Sequence, residues 1–168
     1  IAKALAIYSG FTEGLQLFSS FIILLNFPRF GKMKGMGQII TYSIRDESLH
    51  VEAMTKLFRE FIQENIEIWT DDFKKEIYQA CRDMVYLEDK FLDLVFAQGD
   101  IQGLSKKEMI EYIRYIADRR LLQLGLKPNY GVKDNPLNWL DDVLGVEHQN
   151  FFEGRSTSYM KAGLRGDL

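Results

Sequence analysis

Apolar residues recur every three or four positions along most of the chain, and no stretch alternates as a strand does. This pattern predicts four long helices. The first, residues 2–27, is apolar almost all round, which places it in the middle of a bundle. Pro28 and Gly31 mark its end, and Gly35 and Gly37 fall in the connection that follows. The second helix starts near Gln38 and ends near Asn65. At helical spacing Ile40, Ser43, Glu47, His50, Met54, Leu57 and Phe61 share its inward face, and Arg45, Glu52, Lys56 and Arg59 take the solvent side. Thr70 is a suitable N-cap for a third helix over residues 71–97, with Asp71 and Asp72 in the first turn, where the helix dipole favours anions. Its apolar stripe is Phe73, Ile77, Ala80, Cys81, Met84, Leu87, Phe91 and Leu94, and its acids Glu76, Asp83, Glu88, Asp89 and Asp93 are expected to be solvated or ion-paired. Ser105-Lys106-Lys107-Glu108 is a capping box that opens a fourth helix over residues 106–124, closed by Gly125 and Pro128. Beyond it the periodicity breaks. Asp134-Asn135-Pro136 is turn chemistry, Trp139–Leu144 suits one short helix, and the rest reads as an irregular tail. The chain therefore divides into a helical part, residues 1–125, and an irregular part, residues 126–168.

Two features break the apolar pattern. Glu47 and His50 stand one turn apart on the greasy face of the second helix, and Glu13 stands in the centre of the first, on a face continued by Leu17, Ser20, Phe21 and Leu24. A buried carboxylate is costly unless something compensates its charge. Glu-x-x-His pointing into a helix bundle is a known metal-ligand arrangement, and a Glu from a neighbouring helix extends it. Two readings without metal compete: an interior Glu–His hydrogen bond, and a Glu13 paired with a base on another helix. The second would draw its base from a neighbouring helix, since Lys3, the only cation within the first helix, lies far from Glu13. Carboxylate oxygen and imidazole nitrogen together suit iron or manganese. A complete di-metal site needs a second carboxylate helix and a second Glu-x-x-His, and the sequence holds no other; Glu147 and His148 are adjacent, and His148 is assigned no site. This chain supplies half the ligands.

Composition narrows the setting. A hydrophobic fraction of 46% over 168 residues excludes a disordered chain. The net charge of −3 leaves no basic excess to suit nucleic acid. A lone cysteine, Cys81, cannot form an internal disulfide and points to a reducing, cytoplasmic setting. The most apolar run, Leu15–Phe27, is short for a membrane span and is interrupted by Gln16, Ser19, Ser20 and Asn26, so it reads as a buried helix with no membrane role. No signal-peptide pattern is evident, and a chain opening on Ile1 is expected to be processed or part of something longer.

The arrangement Glu13 … Arg45-Asp46-Glu47-Ser48-Leu49-His50, with its carboxylates 34 positions apart (47 − 13), resembles the radical-generating small subunit of class I ribonucleotide reductase. Ala117-Asp118-Arg119-Arg120-Leu121, Asn135-Pro136-Leu137-Asn138-Trp139-Leu140 and Asn150-Phe151-Phe152-Glu153-Gly154-Arg155 … Tyr159 are similar to the family's later helix, loop and tail, in the same order. The resemblance implies an all-α, ferritin-like bundle that is incomplete in this chain. It implies that Glu13, Glu47 and His50 are metal ligands of a di-iron or manganese-containing di-metal centre activated by oxygen. It further implies that Asp46 holds a metal-bound histidine on the radical-transfer route, that Tyr159 passes an electron and proton hole to a large catalytic subunit reducing ribonucleotides, and that Glu153 is a tail acid associated with that step. Leu17, Phe21 and Ser43 are expected to wall the oxygen site. The family's earlier helices carry the remaining ligands, a radical-bearing tyrosine and a tryptophan of the transfer route. Without them the chain corresponds to the C-terminal half of a small subunit, whether split-gene product, processed chain or part of a longer polypeptide, and its expected partners are an N-terminal half, the large subunit and a second small subunit. Alternatives are a ferritin-like di-metal oxidase, which would not need the tail tyrosine, and a non-catalytic helical assembly module.

Overall fold

The helix expected in the middle of the bundle is the spine of the structure, a computed structural model that describes residues 1–143. It is built in three pieces: α1 (Ala2–Ile7), a π-helical stretch (Tyr8–Gln16) and α2 (Phe18–Arg29). Ala6, Phe11, Leu15 and Ile22 are shut off from solvent, and the π-helical stretch packs against all three long helices that follow. Those are α3 (Lys34–Glu64), α4 (Asp71–Val95) and α5 (Lys106–Gln123). Residues 138–143 form the start of the short helix expected near Trp139. No strand occurs among the described residues; the one β-type pairing is an isolated bridge between Ile101 and Leu104. By length and composition Ala2–Arg29 could cross a membrane, yet over half of its most apolar window is buried against the other helices, so its place in the core accounts for its greasiness.

Helix ends follow local chemistry, with one shift. Thr70 caps α4 by accepting from the Phe73 amide (3.2 Å), and the box at Ser105 closes both ways, Glu108 N to Ser105 Oγ at 3.2 Å and Ser105 N to Glu108 Oε2 at 2.8 Å. Pro28, expected to stop the first helix, lies inside its last turn, and Gly31 (φ +73°) makes the turn instead. Gly35 and Gly37 are not in the connection but in the first turns of α3, and at Gly37 the Pro28 ring occupies the space a Cβ would need.

The buried stripe of α3 is displaced from the expected one. Thr41, Ile44, Val51, Thr55, Phe58 and Ile62 face the core; Ile40, Ser43, Glu47 and Met54 are half-buried, and Leu57 is 55% exposed. One position corresponds to a rotation of about 100°, so the face carrying Glu47 and His50 lies along the rim of the core. The threonines hid this face from the hydrophobic pattern; Thr41 is tolerated inside because its hydroxyl donates to the Gly37 carbonyl (3.0 Å).

On α4 the buried set is Ile77, Cys81, Val85, Glu88 and Leu92, while Leu87 and Leu94 point to solvent. Three of its acids are ion-paired as expected: Glu76 with Lys3 (3.0 Å), Asp93 with Lys106 (2.8 Å) and Asp89 with Arg114 through two 2.7 Å bonds. Asp83 accepts from Gln79 instead (2.7 Å). Glu88 is the exception, being buried against α2. Loss of solvent pushes its carboxyl up to about 7; the Ser19 hydroxyl and backbone hold it down in part, and Asp89 adds a smaller repulsion. On α5, Asp118 is buried too, and its carboxylate accepts from the amides of Asn129 (2.7 Å), Tyr130 (2.8 Å) and Val132 (3.1 Å), folding the segment after α5 back onto the helix. Trp139 is stacked under the Arg29 guanidinium, 4.1 Å from ring centre to Cζ.

Candidate metal centre

Glu13 projects from the π-helical stretch, and Glu47 and His50 project from adjacent turns of α3. A helical hairpin brings the three together. His50 Nδ1 stands 3.9 Å from Glu13 Oε2 and 3.8 Å from Glu47 Oε2. Neither separation is a hydrogen bond, which for N–H···O closes at about 2.7–3.2 Å. Both Oε2 atoms are out of solvent and accept no hydrogen bond. Buried carboxylate oxygens without a partner are rare because each forfeits its hydration for nothing.

A shared cation removes the anomaly. Donors bound to one ion at about 2.1 Å lie no more than about 4.2 Å apart, and both pairs fall inside that limit. One donor atom from each residue lies within 4.8 Å of the others. Two carboxylates and an imidazole also match a hard-to-borderline divalent metal. The readings without metal fare worse: the Glu–His contacts are too long for hydrogen bonds, and the buried Glu13 Oε2 accepts from no base on another helix among the described residues. The donor set fits a metal ion.

The trio is open on one side. The His50 side chain is 61% exposed, against 29% and 23% for those of Glu13 and Glu47. Elsewhere on these two elements Ile39 and Leu49 on α3 and Tyr8 on the π-helical stretch are each more than half exposed. Asp46 is exposed beside Glu47. Of the residues expected to wall an oxygen site, Phe21 is buried in the core, Leu17 lies at the surface, and the Ser43 hydroxyl donates to the Ile39 carbonyl (3.2 Å). Tyr159, Glu153 and His148 lie outside the described residues.

The π-helical geometry around Glu13 was not anticipated. Hydrogen bonds of the i→i+5 type widen the helix and occur mostly as short bulges at functional sites. The one local signal is the pair Gly10 and Gly14, an unusual density of glycine inside a helix.

The family profile described as ribonucleotide reductase, small chain, matches residues 1–136. A probable ribonucleoside-diphosphate reductase small subunit of Invertebrate iridescent virus 3 is 47% identical over 99% of this chain and 45% of its own length. The ribonucleoside-diphosphate reductase subunit beta of Chlamydia pneumoniae is 37% identical over 96% of this chain and 46% of its own. Among solved structures, a putative class I ribonucleotide reductase from Bacillus halodurans superposes with a TM-score of 0.75 at 32% identity, covering 80% of this chain and 43% of that one. The R2 subunit from Clostridium botulinum gives 0.78 at 29% identity, covering 83% and 44%. The chain thus spans just under half the length of the curated relatives it matches. Its fold is the ferritin-like helical one of those subunits, and by the extent of the profile match this chain belongs to the ribonucleotide reductase small-chain family.

Proposed function

We propose that this chain contributes one half of the di-metal centre of a ribonucleoside-diphosphate reductase small subunit, which generates an oxidising equivalent for a large subunit that reduces ribonucleotides to deoxyribonucleotides. The observation that carries the reading is the convergence of Glu13, Glu47 and His50 with two buried, unpartnered carboxylate oxygens, in a chain of this family. A carboxylate-bridged metal pair, of iron or manganese, supplies one-electron oxidising chemistry when it reacts with oxygen. This chain's part is to hold the metal through one acid of the spine and the Glu-x-x-His of α3. Asp46, next along α3, is suited to hold a histidine from the complementary ligand half. Tyr159 and Glu153 serve the onward route to the large subunit.

The exposure of His50 beside two largely shielded carboxylates supports a complementary polypeptide that covers the site, either in the same protein or as a separate chain. A pairing of two small subunits and a cytoplasmic setting complete the proposal. Two measurements test it. Chain 1–168 alone is expected to hold at most one metal, and weakly, since three protein ligands leave its coordination incomplete; two tightly bound irons per chain would overturn the half-site reading. In the intact protein, Tyr159→Phe is expected to end turnover with the large subunit while metal loading persists. Unchanged turnover would take Tyr159 off the route.

A further inference from the structure

The π-helical register around Glu13 is gripped from outside the helix. Where i→i+5 bonding returns to i→i+4, one more carbonyl than amide is left to pair, so a π-helix needs an external donor near its end. α5 supplies one: Arg120 Nε donates to the Gly14 carbonyl at 2.8 Å. The guanidinium is itself fixed, with Nη1 donating to Gln123 Oε1 (2.9 Å) and Cζ 5.4 Å from the centre of the Phe18 ring. Residue 14 has to be small for this contact to exist. A Cβ there would stand 2.6 Å from Arg120 Nε and 2.8 Å from the Ser9 carbonyl oxygen. One turn earlier, a Cβ at Gly10 would stand 3.0 Å from Leu124 Cδ1, again on the chain leaving α5. Thus α5 presses on the spine at two glycines that bracket the ligand.

Register decides where Glu13 points. Moving from π to α bonding changes the helix by one residue, which rotates the side chains on one side of the bulge by about 100° relative to those on the other. A rotation of that size carries Glu13 away from Glu47 and His50, whose positions are set independently by α3. We propose that Arg120 is a positioning residue for the metal site: by holding the Gly14 carbonyl it keeps the π register and so keeps the Glu13 carboxylate facing the Glu47–His50 pair. This rests on the metal-site reading above, and the closing experiment separates the two.

The test uses the intact protein and Mn(II) as the probe, with binding followed by titration calorimetry and by the electron paramagnetic resonance signal of bound Mn(II). Arg120→Met is expected to weaken Mn(II) binding by about tenfold or more, the range seen when a group supporting a ligand is lost. It should also speed amide exchange within residues 8–16 while exchange in α4 is unchanged. Arg120→Lys, which still offers an N–H to the Gly14 carbonyl, is expected to recover most of the affinity; a residue that merely fills space would be replaced better by Met. Should Arg120→Met fail to fold, Gly14→Ala takes its place, since it displaces the same guanidinium, and it is again compared with Arg120→Lys. Affinity within twofold of the parent in the Met or Ala variant, in a protein where Glu13→Gln abolishes binding at this site, would overturn the role of Arg120. Mn(II) binding that survives Glu13→Gln unchanged would instead overturn the metal site, and the positioning role with it.

Discussion

Glu88→Gln offers a quantitative test of the core. In the folded protein the Glu88 carboxyl has a pKa of about 7 against 4.5 when freely solvated, the main cause being burial between α4 and α2. A carboxyl whose folded pKa is raised binds its proton more tightly in the native state. Its contribution therefore favours folding below about pH 4.5 no more than in the solvated reference, and becomes a penalty as pH rises through the window from 4.5 to 7. Above pH 7 the penalty is complete. At 1.36 kcal/mol per unit it amounts to about 3 kcal/mol, and less if the site admits water. Glutamine has nearly the same volume and carries no charge, so it removes the titration without opening a cavity. The assay is urea unfolding by circular dichroism from pH 4.5 to 8.5, taken as variant minus parent so that all other titrations cancel. The variant should be close to the parent at the acid end and more stable by roughly 2–3 kcal/mol at pH 8. A difference that stays constant within about 0.5 kcal/mol across the range would mean that Glu88 ionises freely in the fold, and the reasoning from burial would fail.

Two further outcomes follow from buried polar groups. Asp118→Ala strips three amides in the segment after α5 of their acceptor and should cost about 3 kcal/mol in denaturant unfolding; a loss below about 0.5 kcal/mol would mean those amides find water instead. The Cys81 thiol, pushed up to about 12 mainly by burial and secondarily by Asp118, stays protonated in the folded protein, so iodoacetamide at pH 8 should label it only as fast as the protein unfolds. Labelling at the rate of a free thiol would contradict its enclosure.

The helices were legible because their signals are local. Thr70, the Ser105 box and the glycine turns act within a few residues of one another, and α4 and α5 begin where those signals lie. Faces were less legible. The buried stripe of α3 lies one position away from the apolar pattern because Thr41 and Thr55 count as polar in a pattern, although both are buried and Thr41 bonds its own helix. Glu88, expected to be solvated or ion-paired, is buried instead: composition cannot say that a carboxyl will be enclosed and its pKa raised. The convergence of Glu13, Glu47 and His50 was legible because their chemistry is out of place among apolar neighbours in the sequence. Arg120 and Gly14 were not, since their link joins positions 106 residues apart and leaves no local trace.

The two carboxylates and the imidazole come from consecutive arms of one hairpin, with the α2–α3 turn between them. Loop closure over so short a span is entropically cheap, and contacts of low sequence separation are the first a chain can make. Once residue 64 has left the ribosome, every atom of the trio is available for assembly, before α4 and α5 exist. The hairpin can therefore bring the three side chains near one another early, and the arrival of α5, with Arg120 on the Gly14 carbonyl, then fixes the register that aims Glu13.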